Sequence, residues 1–308
     1  MTVYKDDNII AMAKVRRVLI DHGHIDVDRT QVEKYDLFQM AEVLMYAGKL
    51  FPKTGAELTR HWINNMPVGK CRLVAQTSMV SVDYHNRRHL VSAMHRLMTL
   101  LKNNPTLTWG DEQVAWVSLL IHDQRHSLGN LMDSLNVVNA ASLLIPRTDA
   151  PLGDLIPVHG ADLENYLQFR DLFISEISIG YGQSPEDIAK LFVGNAATGV
   201  ISTCFPYAEG EVSEMVGILR DADRLSMLDD DWWSQVYEGL YIESFAAKTS
   251  FLDFCRGQVR FMETFDFQSM AAHNEYQSTN MADTRFNRAL GMARLVLHYA
   301  EREFHGNN

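Results

Sequence analysis

Val114-Ala115-Trp116-Val117-Ser118-Leu119-Leu120-Ile121, followed at once by His122-Asp123-Gln124-Arg125-His126, is the stretch on which the fold turns. Eight residues that are apolar on nearly every side read as a helix in a packed interior. A helix that ends in His-Asp carries two ligand side chains into that interior. Neighbouring helical residues point about 100° apart, so His122 and Asp123 share one ion only in a crevice where several helices converge.

Two further segments supply that crevice. Asp83-Tyr84-His85-Asn86-Arg87-Arg88-His89 precedes the periodic apolar run Leu90, Val91, Met94, Leu97, Met98 and Leu101, which predicts a helix. His85 and His89 then stand one turn apart on one face. The run Met215 to Ser226 offers a third helix carrying Asp221 and Asp223, and a carboxylate after an apolar stretch is costly to bury without a partner. Three imidazoles and two carboxylates suit a divalent ion such as Zn, Mn, Fe or Mg, one or two in number. With twelve histidines in the chain, single positions carry little; the joint spacing of His85, His89, His122, Asp123, His126 and an acid near 223 carries the reading.

At these residues, from about Asp83 to Arg224, the sequence resembles the HD superfamily of metal-dependent phosphohydrolases, whose pattern is His, then His-Asp, then a distant Asp. Tyr84-His85-Asn86 with His89 is similar to the YHNxxH motif of class I cyclic nucleotide phosphodiesterases, and His122-Asp123 with His126 to their HDxxH motif. Ala222-Asp223-Arg224-Leu225 resembles the ADRL segment of several HD hydrolases, including guanosine tetraphosphate hydrolases, which favours Asp223 over Asp221 as the last ligand. The resemblance implies that His89, His122, Asp123 and Asp223 bind the first metal and that Asp123 also bridges to a second. It makes His85 the general acid that protonates the leaving oxygen, and places His126 behind a ligand or on the second ion. Hydroxide generated by the dication would attack phosphorus. Metal charge pushes His85 towards its neutral form, so its protonation needs an acidic partner, Asp83 or another. Gln258-Val259-Arg260-Phe261 resembles the QxxF segment whose Gln and Phe hold the base in those phosphodiesterases. That segment, followed by Asp283-Thr284-Arg285-Phe286-Asn287, also resembles a broader group of bacterial HD phosphohydrolases.

A net charge of −11 argues against broad nucleic-acid binding, because phosphate backbones are held by excess Lys and Arg. It leaves room for a small anionic substrate, since bound dications supply local positive charge. Cys71, Cys204 and Cys255 are odd in number and far apart, which predicts neither a disulfide framework nor a cysteine zinc site, and points to a reducing compartment. Met1 to Asp7 are not a basic and apolar leader and no run approaches the roughly 18 apolar residues that span a bilayer, so the expected location is cytoplasmic.

The eight prolines fall between or at the edges of helical periodicities. Helices are expected at 8–21, 33–49, 56–65, 86–103, 111–122, 131–145, 161–179, 185–203, 211–228, 231–247, 250–264 and 283–302, with no useful strand run. Loops are expected at Tyr181 to Glu186 and Thr148 to Gly160, the second as a mobile segment over the site. The expected architecture is therefore an all-α HD bundle. Residues 81–308 would form the catalytic domain, and residues 1–80 a helical portion that packs on it or mediates a homodimer.

Several residues keep two readings open. Asp221 either adjusts charge near the site or faces solvent. Arg88, Arg125 and Arg224 either grip phosphate or pair with local carboxylates. Asn86 and Asn130 either hold substrate and orient histidines or cap helix ends. Gln258 and Phe261 either clamp a base or simply pack. In Asp229-Asp230-Asp231-Trp232-Trp233 the carboxylates would sit at a helix start, and Trp232 or Trp233 either packs or walls a nucleotide pocket. Met40, Met45, Met94 and Met98 read as core filler, and His22 and His24 as surface. The expected activity is metal-dependent hydrolysis of a cyclic or linear nucleotide, or another phosphoester. A di-iron HD oxygenase and a non-cleaving nucleotide sensor are the alternatives.

Overall fold

A computed structural model describes residues 3–25, 29–66, 72–74, 78–80, 84–124, 133–144, 184–207, 210–246, 248–277 and 284–305. They form an all-α bundle: α1 (Val3–Asp21), α2 (Arg29–Leu50), α3 (Gly55–Asn65), α4 (Arg87–Lys102), α5 (Trp109–Ile121), α6 (Asp133–Ala141), α7 (Pro185–Ser202), α8 (Glu214–Arg224), α9 (Phe251–Glu263), α10 (Met270–Tyr276) and α11 (Arg285–His305). A 3₁₀ turn, Ser226–Leu228, and a π-helix, Trp233–Phe245, lie between α8 and α9.

α5 runs through the middle. Thr108 and Asp111 cap each other's backbone N–H groups at its start, and every residue from Gln113 to Ile121 is buried. α7 crosses it closely, because Gly199 has no side chain where one would collide: a Cβ there would fall 2.2 Å from Ser118 Oγ. The Ser118 hydroxyl is itself used inside, with Val114 O at 2.7 Å and Ala196 O at 3.0 Å as acceptors. Gly199→Val should therefore lower the midpoint of thermal unfolding by several degrees, an overpacking cost of about 3 kcal/mol. Adding Ser118→Gly, which removes the colliding atoms, should recover part of it; no loss in the single variant would refute this packing.

α4 lies across α2 and α8, and α1 and α9 pack on α11. Met12, Val43 and Trp62 from the first three helices join the same apolar core as Met94, Trp116, Ile218 and Val296.

The expected helices are found with their ends moved by a few residues, except 161–179, which lies outside the described residues, as does the Thr148 to Gly160 loop. The segment 131–145 shortens to α6 and 211–228 divides at Leu225 into α8 and the 3₁₀ turn. Two elements were not expected. A hairpin pairs Arg72–Val74 antiparallel with Ser78–Val80, and three-residue strands are too short to show alternation. α10 is a short polar helix made by its surroundings: Ser269 caps it and Glu214 accepts from the N–H groups of Met270 (3.1 Å) and Ala271 (3.0 Å).

Candidate metal centre

The first turn of α4 and the last residues of α5 and α8 meet at one point. Asn86 caps α4, accepting from Arg88 N at 2.8 Å and His89 N at 3.1 Å, and so fixes the turn that bears His89. At the end of α5, the His122 Nδ1–H donates to Leu119 O at 2.6 Å, which leaves Nε2 as the open lone pair. Buried Gln124 ties the following turn to α3, donating to Trp62 O at 3.1 Å.

His89, His122, Asp123 and Asp223 each present one ligand atom, all within 4.8 Å of one another, and this cluster can hold a metal ion. His89 Nε2 lies 3.4 Å from Asp123 Oδ2 and 3.3 Å from Asp223 Oδ1; His122 Nε2 lies 3.2 and 3.1 Å from the same two atoms. Donors about 2.0–2.2 Å from a common cation stand roughly 3–3.5 Å apart, so the spacing fits. Asp123 Oδ2 is buried and makes no hydrogen bond among the described residues, which is the condition a cation relieves.

Without the ion these groups hold one another's charge. Burial opposes charge on His89 and His122, but Asp123 and Asp223 outweigh it and raise both imidazoles above their usual value. Burial likewise opposes the carboxylates, but His122 chiefly holds Asp123 and Asp223 below the usual range. The raised imidazoles contribute stability that is present below their unfolded value, about 6.5, and lost as pH rises through the folded one. The lowered carboxylates contribute above about 4, and that is lost as pH falls through their folded values. The stripped protein should therefore lose melting temperature as pH is raised above neutrality. The metal-loaded protein, whose imidazoles must already be neutral, should not. Parallel pH curves for the two forms would contradict the site.

His85 sits beside the cluster, its ring centroid 6.0 Å from that of His89. Its partner is Glu243: the His85 Nδ1–H donates to Oε1 at 2.5 Å, while Oε2 accepts from the N–H groups of Tyr84 (2.5 Å) and His85 (3.3 Å). Burial alone would neutralise His85, but Asp123 and Glu243 outweigh it and hold its pKa above the usual imidazole value. Glu243 reaches this loop because Gly239, one turn earlier on the π-helix, lets the backbone approach Tyr84; a Cβ there would lie 3.3 Å from Tyr84 Cα.

Asp221 neither adjusts the cluster nor faces solvent. Fully buried, it accepts from Gln268 N, Ser269 N and the Ser269 hydroxyl, staples α8 to the start of α10, and burial pushes its pKa up to about 6. Asp223 is the cluster member. Arg96, which the sequence reading missed, holds it there: this buried guanidinium donates to Ala222 O at 2.6 Å and Asp223 O at 3.4 Å, and pairs with buried Asp229. Arg88 is paired with Asp231, and the Asn86 side-chain oxygen caps α4. Trp232 and Trp233 are core residues, Trp233 stacking on Tyr237 at 4.9 Å. Phe261 packs on Phe265 at 5.3 Å, and Gln258 lies three residues before it on α9, with no hydrogen bond to the cluster among the described residues. His126 and Arg125 lie outside the described residues.

No family model matches the chain, and no curated protein matches it. Among the described residues no helix is long and apolar enough to cross a membrane.

Proposed function

We propose that this chain is a metal-dependent phosphohydrolase of the HD type that cleaves a phosphoester, with a cyclic or linear nucleotide as the first substrate to test. The observation that carries the reading is the His85–Glu243 pair standing beside a buried four-ligand cluster. Zn, Mn, Fe or Mg at His89, His122, Asp123 and Asp223 would supply Lewis acidity and acidify water. The chain itself does the rest. Glu243 takes the Nδ1 proton of His85 in a hydrogen bond, fixes the ring and favours its charged form, so Nε2 is the position from which a proton passes to a leaving oxygen. Neither an oxygenase nor a sensor requires such a proton donor, which is why hydrolysis is favoured over both.

The test is hydrolysis by metal-stripped protein resupplied singly with Mn, Fe, Zn or Mg, across cyclic nucleotides, linear nucleotides and a chromogenic phosphodiester. Metal-dependent turnover is expected; metal uptake without turnover on any of them would overturn the proposal. Glu243→Gln should retain metal and lose roughly 10²-fold in kcat. Because the carboxylate raises the His85 pKa, its loss should also move the alkaline limb of the rate profile to lower pH. An unchanged profile would remove His85 from the role of acid.

A further inference from the structure

α8 ends in two side chains of opposite charge. Asp223 turns into the ligand cluster; Arg224, about 100° further round the helix, does not. Its guanidinium stands over aromatic rings, the central carbon 4.5 Å from the Tyr207 centroid and 4.6 Å from that of Phe265, with Phe261 at 6.0 Å. Such contacts favour the cation. Its donors, however, are unspent: Nε and Nη2 are sealed from solvent with no hydrogen-bond partner among the described residues. The nearest carboxylate oxygen, Asp221 Oδ1, stands 3.7 Å from Nη2 and already accepts from Gln268 N. Two other arginines nearby are used differently. Arg96 bonds carbonyls and Asp229, and Arg220, on the same Tyr207 ring at 4.1 Å, donates to Ser202 O at 2.9 Å.

Asp223 is also the most exposed member of the cluster: its side chain is 21% exposed, against 1, 2 and 9% for His89, His122 and Asp123. Tyr207 feels both charges: burial raises its phenol, Arg224 opposes the rise and the Asp223 charge adds to it. A cation stacked on aromatic rings with unpartnered donors, one residue along from a cluster ligand, is built to meet an anion.

We propose that Arg224 is the anion-recognition residue of the site, its guanidinium gripping a non-bridging oxygen of the substrate's phosphoryl group while the ligand cluster holds the reacting side. This rests on the phosphohydrolase reading. It gives Phe261 and Phe265 the work of supporting a guanidinium rather than holding a base.

The test is calorimetric binding of inorganic phosphate to the metal-loaded full chain, with metal content measured on the same samples. Arg224→Met should weaken phosphate about tenfold or more, the loss of one charged hydrogen bond, with metal content unchanged. Arg224→Lys, which keeps the charge without the planar fork, should recover part of that loss. In turnover, the Met variant should raise KM more than it lowers kcat. Unaltered phosphate affinity in the Met variant would overturn the proposal and leave hydrolysis standing. Loss of metal from both variants would overturn it too, making Arg224 a support for Asp223. Failure of the metal-loaded wild type to bind phosphate would bring down the phosphohydrolase reading along with it.

Discussion

Asp123→Ala should leave a folded chain that retains no metal and turns over no phosphoester. Asp123 Oδ2 is the buried oxygen that faces both ligand imidazoles, at 3.4 and 3.2 Å. With it gone, Asp223 is the carboxylate left opposite His89 and His122 among the described residues, and its side chain is the most exposed of the set. A three-ligand remnant should bind the ion roughly 10³-fold more weakly, about 4 kcal/mol. Elemental analysis after gel filtration should read background metal, and His89→Ala should behave alike. His85→Ala provides the contrast, since it should keep the metal and lose the rate. Normal turnover by the Asp123 variant would sink the mechanism outright.

Arg96→Met should be the most destabilising single change in the neighbourhood. Arg96 is buried, and its removal leaves the buried Asp229 carboxylate with Gln235 Nε2 at 3.1 Å as its remaining side-chain donor among the described residues. Breaking a buried pair in this way costs about 3–5 kcal/mol, or roughly 10 °C in Tm. Two carbonyls at the end of α8 also lose their donor, so Asp223 is released and metal affinity should fall with stability. The double variant Arg96→Met, Asp229→Leu separates the two effects. It should regain most of the melting temperature, because both charges are gone, but not the metal affinity, because the tether to Ala222 and Asp223 remains cut. Full recovery of both would mean that Arg96 acts only as a counter-ion.

What could be read from sequence followed from pattern length. α4 is long and periodic, α5 is apolar on nearly every side, and ligand residues mark the start of one and the end of the other, so helices and the four-residue cluster were both legible. The two-residue separation of Asp221 and Asp223 was not decided by periodicity, since it turns about 200° of helix and only tertiary contacts say which acid faces where. Glu243 and Arg96 were missed for a related reason. Each interrupts a locally apolar stretch, and sequence alone does not separate a buried ion pair from a solvated face when the partner lies more than a hundred residues away. The acids Asp229 and Asp231 were expected near a helix start, and the structure gives them specific partners in Arg96 and Arg88. α10 and the hairpin were too short for any period to register.

The π-helix places a long-range dependence on the loop that bears His85. Such winding is rare beyond a single turn, so the backbone does not choose it unaided. Side chains must hold it open, and here Trp233, Tyr237 and Tyr241, four apart in sequence, form an aromatic ridge against Phe251 and Phe254. If that ridge were eroded, the segment would tighten towards ordinary α winding and Glu243 would be carried round the axis, away from His85. The His85–Glu243 geometry is therefore governed from a hydrophobic cluster that contributes no polar atom to it, and a fault in packing there would appear as a fault at the metal cluster's edge.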